Sequence, residues 1–189
     1  MAILILLLIP TIAVALLILF GKKNNMSEKI SVGASLLELG IGAFIVQQVL
    51  QNHIYAFSFY FSVNALNALF LGITVFVGLI VTLHSLGYFK EEFEKHMIDA
   101  KKLQESYLLI RLFLLFIYVA LLTTSPIIMW IAIEGTTLVT VFMINLFQRK
   151  TDLEAAWKFL IINSIGLLLG LLGTLIFLAQ GASGSQALL

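Results

Sequence analysis

The chain is organised as six long apolar runs separated by short polar connections. The runs lie near residues 2–20, 30–50, 65–88, 107–124, 126–148 and 154–179. A helix of about 20 apolar residues crosses the hydrocarbon core of a bilayer, and backbone groups in lipid must be hydrogen-bonded within their own segment. The pattern therefore predicts an all-α membrane protein, with six transmembrane helices forming a single domain over residues 1–189.

The first run has the length of either a transmembrane helix or the apolar part of a signal peptide. No basic residue precedes it, Lys22 and Lys23 follow it, and Phe20-Gly21-Lys22 is a poor cleavage site. We therefore expect residues 2–20 to be retained as a helix.

Basic residues are confined to alternate connections. The eleven Lys and Arg residues lie in or beside the first (Lys22, Lys23, Lys29), third (Lys90, Lys95, Lys101, Lys102, Arg111) and fifth (Arg149, Lys150, Lys158) connections. The N-terminus, the loop 51–64, the turn near Ser125 and the tail 180–189 have none. Because basic loops remain in the cytoplasm, the charges predict an N-out, C-out topology.

The amino-acid composition excludes several classes of function. Of 189 residues, 61% are hydrophobic and 11% are charged, whereas about a quarter are charged in a soluble domain. The net charge of +1 leaves no basic surplus for nucleic acid. Cysteine is absent, which excludes disulfides and thiolate metal sites. With no phosphate loop, metal-spaced histidines or activated nucleophile, we expect no cofactor, no metal and no catalytic apparatus in this chain.

Two connections have distinctive patterns. Phe89, Phe93, Met97 and Ala100 recur at helical spacing among charges, which predicts an amphipathic cytoplasmic helix over 89–106. A solvated connector is the favoured interpretation, and a docking surface is the alternative. The aromatic loop 51–64 suits a membrane interface.

Glu134 is the strongest candidate for a functional group within a span. It lies eight residues past Pro126, about 12 Å along a helix. Thr137, Asn145 and Gln148 follow at i+3, i+11 and i+14, a polar stripe towards the cytoplasmic end that suits a hydrated proton path. Since ionisable residues in a span are costly, we favour proton transfer over a purely structural, protonated carboxyl.

Three other ionisable residues are candidates for proton transfer. Lys158 either extends its amine to the headgroups or assists charge transfer. Glu38, among small neighbours, either pairs within the bundle or relays protons. His84 is included although it points away from the polar residues of the third span, which are Asn67, Thr74, Thr82 and Ser85; this orientation favours an interfacial histidine. Arg111 is expected to reach the interface. The glycines of the sixth span (Gly166, Gly170, Gly173) predict close helix packing.

Three segments carry a family resemblance. The stretch 129–138, MWIAIEGTTL, and the stretch 146–174, LFQRKTDLEAAWKFLIINSIGLLLGLLGT, resemble hydrogenase-4 component F and, more broadly, the antiporter-like membrane subunits of complex I, energy-converting hydrogenases and Mrp-type antiporters. The segment 62–89, SVNALNALFLGITVFVGLIVTLHSLGYF, looks like the third span of that family.

The resemblance implies roles for two residues and a larger assembly. Glu134 matches the family's fifth-helix glutamate, and Lys158 matches the lysine of its AAxKF segment. Asn64 stands where the family often has aspartate. Family members have about fourteen helices, with key lysines on later ones, so six helices correspond to the N-terminal portion of such a subunit. The resemblance also implies partners that supply further antiporter-like helices, and a hydrogenase or quinone- or ferredoxin-linked redox module.

The leading hypothesis is a membrane subunit of an energy-converting redox complex, in the inner (cytoplasmic) membrane, that contributes part of a proton-translocation path. One alternative is part of a multisubunit cation/proton antiporter with no redox partner. Another is a structural subunit that packs against a complete antiporter-like neighbour.

Overall fold

The fold is a bundle of long apolar helices. The computed structural model describes residues 1–21, 26–52, 54–58, 60–94, 99–146 and 150–186. Within these ranges the helices are α1 (Ala2–Phe20), α2 (Met26–Asn52), α3 (Ala65–Glu94), α4 (Ala100–Leu122), α5 (Pro126–Ile144) and α6 (Lys150–Gln186). All six are long and apolar enough to cross a membrane, so the predicted all-α fold with six spans is confirmed.

The third connection differs from its prediction. Residues 89–94 continue α3, and residues 100–106 already belong to α4; residues 95–98, which include Met97, lie outside the described ranges. Phe89 is buried, and its ring packs edge-on against that of Tyr107 with 5.3 Å between centroids. Phe89 therefore belongs to the buried face of α3.

Helix α4 lies at the centre of the bundle. It packs against α1, α3 and α5, and also contacts α2. Helix α1 packs against α2, and α2 packs against α3, so that these four helices share one apolar core. The core contains Leu6, Ile45, Leu71, Leu114 and Leu122. Helix α6 packs mainly against α5 and leaves most of its apolar side chains exposed.

A short hairpin lies between α2 and α3, where an aromatic loop over residues 51–64 was expected. Strands β1 (Ile54–Ser58) and β2 (Phe61–Asn64) pair antiparallel. Val63 of β2 is fully buried. Aromatic and β-branched residues favour strands, and the sequence IYAFSFYFSVN is rich in them.

Contacts between connections establish that the helices run alternately up and down. Phe61 forms a β-bridge with Thr123, so the hairpin and the α4–α5 turn lie at the same end of the bundle. At the other end, Gln104 Nε2 donates to the carbonyl of Leu17 at 2.6 Å, which joins the start of α4 to the end of α1. The sidedness relative to the cytoplasm stays a prediction.

Glycines allow α5 to approach both of its neighbours, α4 and α6, closely. A Cβ at Gly135 would lie 2.6 Å from the Phe116 ring of α4, and a Cβ at Gly170 would lie 2.6 Å from the Trp130 ring of α5. Gly166 and Gly173 have no such neighbour within 4 Å among the described parts of the chain. Of the three glycines in the sixth span, Gly170 alone thus makes the predicted close approach here.

Candidate functional site

The most deeply buried charged group in the described helices is an ion pair between α2 and α4. Arg111 Nη1 donates to both Glu38 oxygens at 3.1 Å. The side chains are 0% and 1% exposed, respectively. The expectation that Arg111 extends to the interface is therefore wrong: it lies eleven residues after Ala100, the first residue of α4, or about 16 Å along the helix. Of the two alternatives for Glu38, the structure shows pairing within the bundle.

Hydroxyl groups from three helices surround this pair. Arg111 Nη2 contacts Ser35 Oγ at 2.5 Å and Thr82 Oγ1 at 2.6 Å. Tyr118 Oη donates to Glu38 Oε2 at 3.2 Å. A buried charge is tolerated when it is paired and hydrogen-bonded, and these contacts supply both conditions.

Helical periodicity brings these groups to one face of each helix. Residues three, four or seven apart lie on the same side of a helix. This spacing relates Ser35 to Glu38 on α2, and Arg111 to Tyr118 on α4. The spacing of Ser35 and Glu38 could be read from the sequence. The sequence did not reveal that Arg111 and Tyr118 of α4 face these two residues.

Glu134 lies at the contact between α5 and α6. It is partly buried, and Ser164 Oγ of α6 donates to Glu134 Oε1 at 2.8 Å. Neighbouring Gly135 is buried against Phe116, so α4 and α6 flank this part of α5. None of the ion pairs in the described part of the chain involves Glu134. The carboxyl is thus held at a helix–helix interface by a neutral donor.

The polar stripe predicted to follow Glu134 is only partly described. Thr137 is buried, and its hydroxyl donates to the Ile133 carbonyl at 3.3 Å. Asn145 ends α5 as its C-cap and lines a cavity of about 210 Å³ together with Glu105. Gln148 lies outside the described residues.

Lys158 lies apart from Glu134. Its amine pairs with Glu154 one turn earlier on α6, and the Lys158 side chain is 70% exposed. Six residues separate Lys158 from Ser164, which turns the helix by about 240°. Lys158 therefore faces away from the side of α6 that contacts Glu134.

His84 is exposed on α3, whereas Thr82 and Ser85 beside it are buried. This orientation agrees with the periodicity of the third span. The structure therefore separates the four residues predicted for proton transfer into a buried pair around Glu38, an interhelical contact at Glu134, and two exposed side chains. The described contacts add Arg111, Tyr118 and Ser164 as polar partners that sequence reasoning missed.

The chain is a multi-pass membrane protein. Its six apolar helices are long enough to cross a membrane, and an ion pair is buried between two of them. A comparison with protein-family models finds no match. The chain is 32% identical over 118 residues to the "Hydrogenase-4 component F homolog" of Methylacidiphilum infernorum (isolate V4). The alignment covers 62% of this chain and 25% of that relative, so the chain matches about a quarter of the relative's length. The predicted resemblance to hydrogenase-4 component F is confirmed.

Proposed function

We propose that the chain is part of a membrane subunit of an energy-converting redox complex of the hydrogenase type and contributes part of a proton-translocation path. The similarity to a hydrogenase-4 component F homolog supports the kind of complex. The observation that carries the proton role is the hydrogen bond between Ser164 and Glu134. It holds a titratable carboxyl within the membrane-spanning part of the bundle.

The chemistry of this contact suits a proton carrier. A carboxylate accepts hydrogen bonds only, whereas a protonated carboxyl also donates one. The Ser164 hydroxyl can donate to the carboxylate and, after rotation, accept from the protonated carboxyl. Glu134 can therefore change its protonation state without losing its partner on α6.

The exposed surface of α6 supports a larger assembly. Ile162, Leu168 and Leu169 are exposed, and Gly166 and Gly173 leave room for a neighbouring helix. Small residues on a helix surface permit close packing of helices in lipid. We infer that other membrane subunits, one of them supplying further antiporter-like helices, and a hydrogenase or quinone- or ferredoxin-linked redox module complete the complex in the inner membrane.

Replacement of Glu134 by Gln tests the proposal, because it preserves size and hydrogen bonding but removes titration. In vesicles containing the assembled complex, we expect assembly to persist and proton uptake during redox turnover to fall by about two orders of magnitude. Glu134→Asp should retain part of the activity, and Ser164→Ala should cause a smaller loss.

Asp99→Asn is the matched control, because Asp99 is an exposed carboxylate at the N-cap of α4 and its side chain makes no capping hydrogen bond. It should pump at the parental rate. Parental pumping by Glu134→Gln would instead assign Glu134 a structural role only.

Lys158→Met tests the second residue for which the family resemblance implies a role. Because Lys158 is exposed and paired with Glu154, we expect proton uptake close to the parental rate. A loss as large as that of Glu134→Gln would contradict the separation of the two residues.

A further inference from the structure

A set of buried polar side chains lies inside the four-helix core, and it shares no residue with the Glu134 contact. Its members are at most 1% exposed and come from three helices. They are Ser31, Ser35 and Glu38 of α2, Thr82 of α3, and Tyr107, Arg111 and Tyr118 of α4. We call this set the polar column.

The polar column runs along the bundle axis. Helices α2 and α4 begin at the same end, since Gln104 bonds to Leu17 at the end of α1. Ser35 donates to the Ser31 carbonyl at 3.0 Å, so these residues are one turn apart. Tyr107 likewise lies one turn before Arg111. The column therefore extends from the Glu38 pair towards the end where α2 begins.

Three buried polar atoms of the column have no hydrogen bond among the described residues: Ser31 Oγ, Tyr107 Oη and Arg111 Nε. Tyr107 lies near Ser85, but the two make no bond of ordinary geometry. Leaving a buried polar atom without a hydrogen bond destabilises the fold, and native proteins commonly satisfy such atoms with internal water. These atoms lie at the Arg111 level or one turn nearer the α2 start.

We propose that the polar column holds internal water and that Glu38 is a second proton-carrying site, with Arg111 as its fixed counter-charge. This inference rests on the proposed function, in that the complex must move protons. It concerns different residues and different helices from the Glu134 contact.

The proton step is a simple transfer. A hydrated proton in the column gives its proton to a Glu38 carboxylate oxygen, forming an O–H bond and leaving neutral water. The pair changes from zero net charge to +1, because Arg111 keeps its proton throughout. The reverse transfer restores the ion pair. Tyr118, which donates to Glu38 Oε2, keeps the carboxyl oriented in both states.

A structure of the assembled complex that resolves water molecules tests the first half of the proposal. We expect ordered water within hydrogen-bond distance of at least one of the three unsatisfied atoms. A column without water there would overturn the inference.

Variants test the second half. Glu38→Leu combined with Arg111→Met removes both charges, so that neither buried charge is left unpaired. If the pair only braces the helices, this double variant should assemble and pump normally. If Glu38 carries protons, it should assemble while proton uptake falls by about tenfold or more. Asp99→Asn combined with Lys101→Gln, which removes one negative and one positive exposed charge at the start of the same helix, should pump at the parental rate.

Two milder variants test whether the polar column carries protons if the double variant fails to assemble. Tyr107→Phe and Ser31→Ala each delete one hydroxyl and no charge, and Tyr107→Phe keeps the ring contact with Phe89. Each should slow proton uptake, whereas Tyr88→Phe, which alters an exposed tyrosine, should not. Parental rates in both would contradict a hydrated path.

The two proposals can fail separately. Loss of pumping in Glu134→Gln but not in the Glu38/Arg111 double variant would leave the proposed function standing and refute the second site. The opposite result would support the second site and refute the role of Glu134. Parental pumping in both would refute both.

Discussion

Replacing Glu38 by leucine removes the only anion paired with Arg111 in the described part of the chain. The guanidinium keeps its contacts to Ser35 and Thr82, but it cannot lose its charge. Removing one partner of a buried pair costs about 3–5 kcal/mol, and we expect Glu38→Leu at the upper end of this range. Arg111→Met should cost less, because the carboxyl that remains can become neutral by binding a proton.

The double variant should be more stable than Glu38→Leu alone. Ser35 and Thr82 still donate to the carbonyls of Ser31 and Gly78, so the unsatisfied group that remains from this network is the Tyr118 hydroxyl. An unsatisfied hydroxyl costs about 1–3 kcal/mol. Adding Tyr118→Phe should therefore bring stability close to that of the parent.

Thermal unfolding of the assembled complex, followed by size-exclusion chromatography after heating, measures this series. At about 2–4 °C per kcal/mol for a chain of this size, Glu38→Leu should lower the midpoint by about 10–20 °C. The double variant should recover at least half of that loss. A double variant no more stable than Glu38→Leu would refute the argument that the unpaired charge, rather than lost packing, sets the cost.

Two further predictions concern packing and topology. Gly135→Ala should destabilise the bundle by about 1–3 kcal/mol, because its Cβ would lie 2.6 Å from Phe116; Gly87→Ala, with nothing within 4 Å, is the control and should leave the unfolding midpoint unchanged or raise it. Because the chain has no cysteine, single cysteines can be labelled cleanly: a membrane-impermeant maleimide added outside should label Tyr60→Cys and spare Lys101→Cys, and the reverse pattern would contradict the N-out topology.

The sequence by itself determined the helices. Each span is a local property, since about 20 apolar residues must be helical to cross lipid. The predicted starts at residues 2, 65 and 126 coincide with those of α1, α3 and α5. Helix ends were harder to predict where charged turns extend a helix beyond its apolar part, as at Glu94. The hairpin was missed because its aromatic residues suit both a strand and a membrane interface.

Candidate site residues were found where a single residue carried the signal. Glu134 and Glu38 stand out as carboxylates in apolar runs, and the periodicity of the third span correctly placed His84 on the side opposite Thr82. For Lys158 the sequence left two alternatives open, and the structure shows its side chain exposed and paired with Glu154 of the same helix.

Tertiary structure alone decided which polar groups meet. Arg111 and Glu38 are 73 residues apart, and Ser164 and Glu134 are 30 apart. Periodicity gives the face of each helix, but not which helix that face meets or how far one slides along another. Those choices depend on side-chain packing between helices, such as Gly135 against Phe116. In lipid, where apolar burial alone does not select a partner, such close contacts and buried polar bonds fix the arrangement.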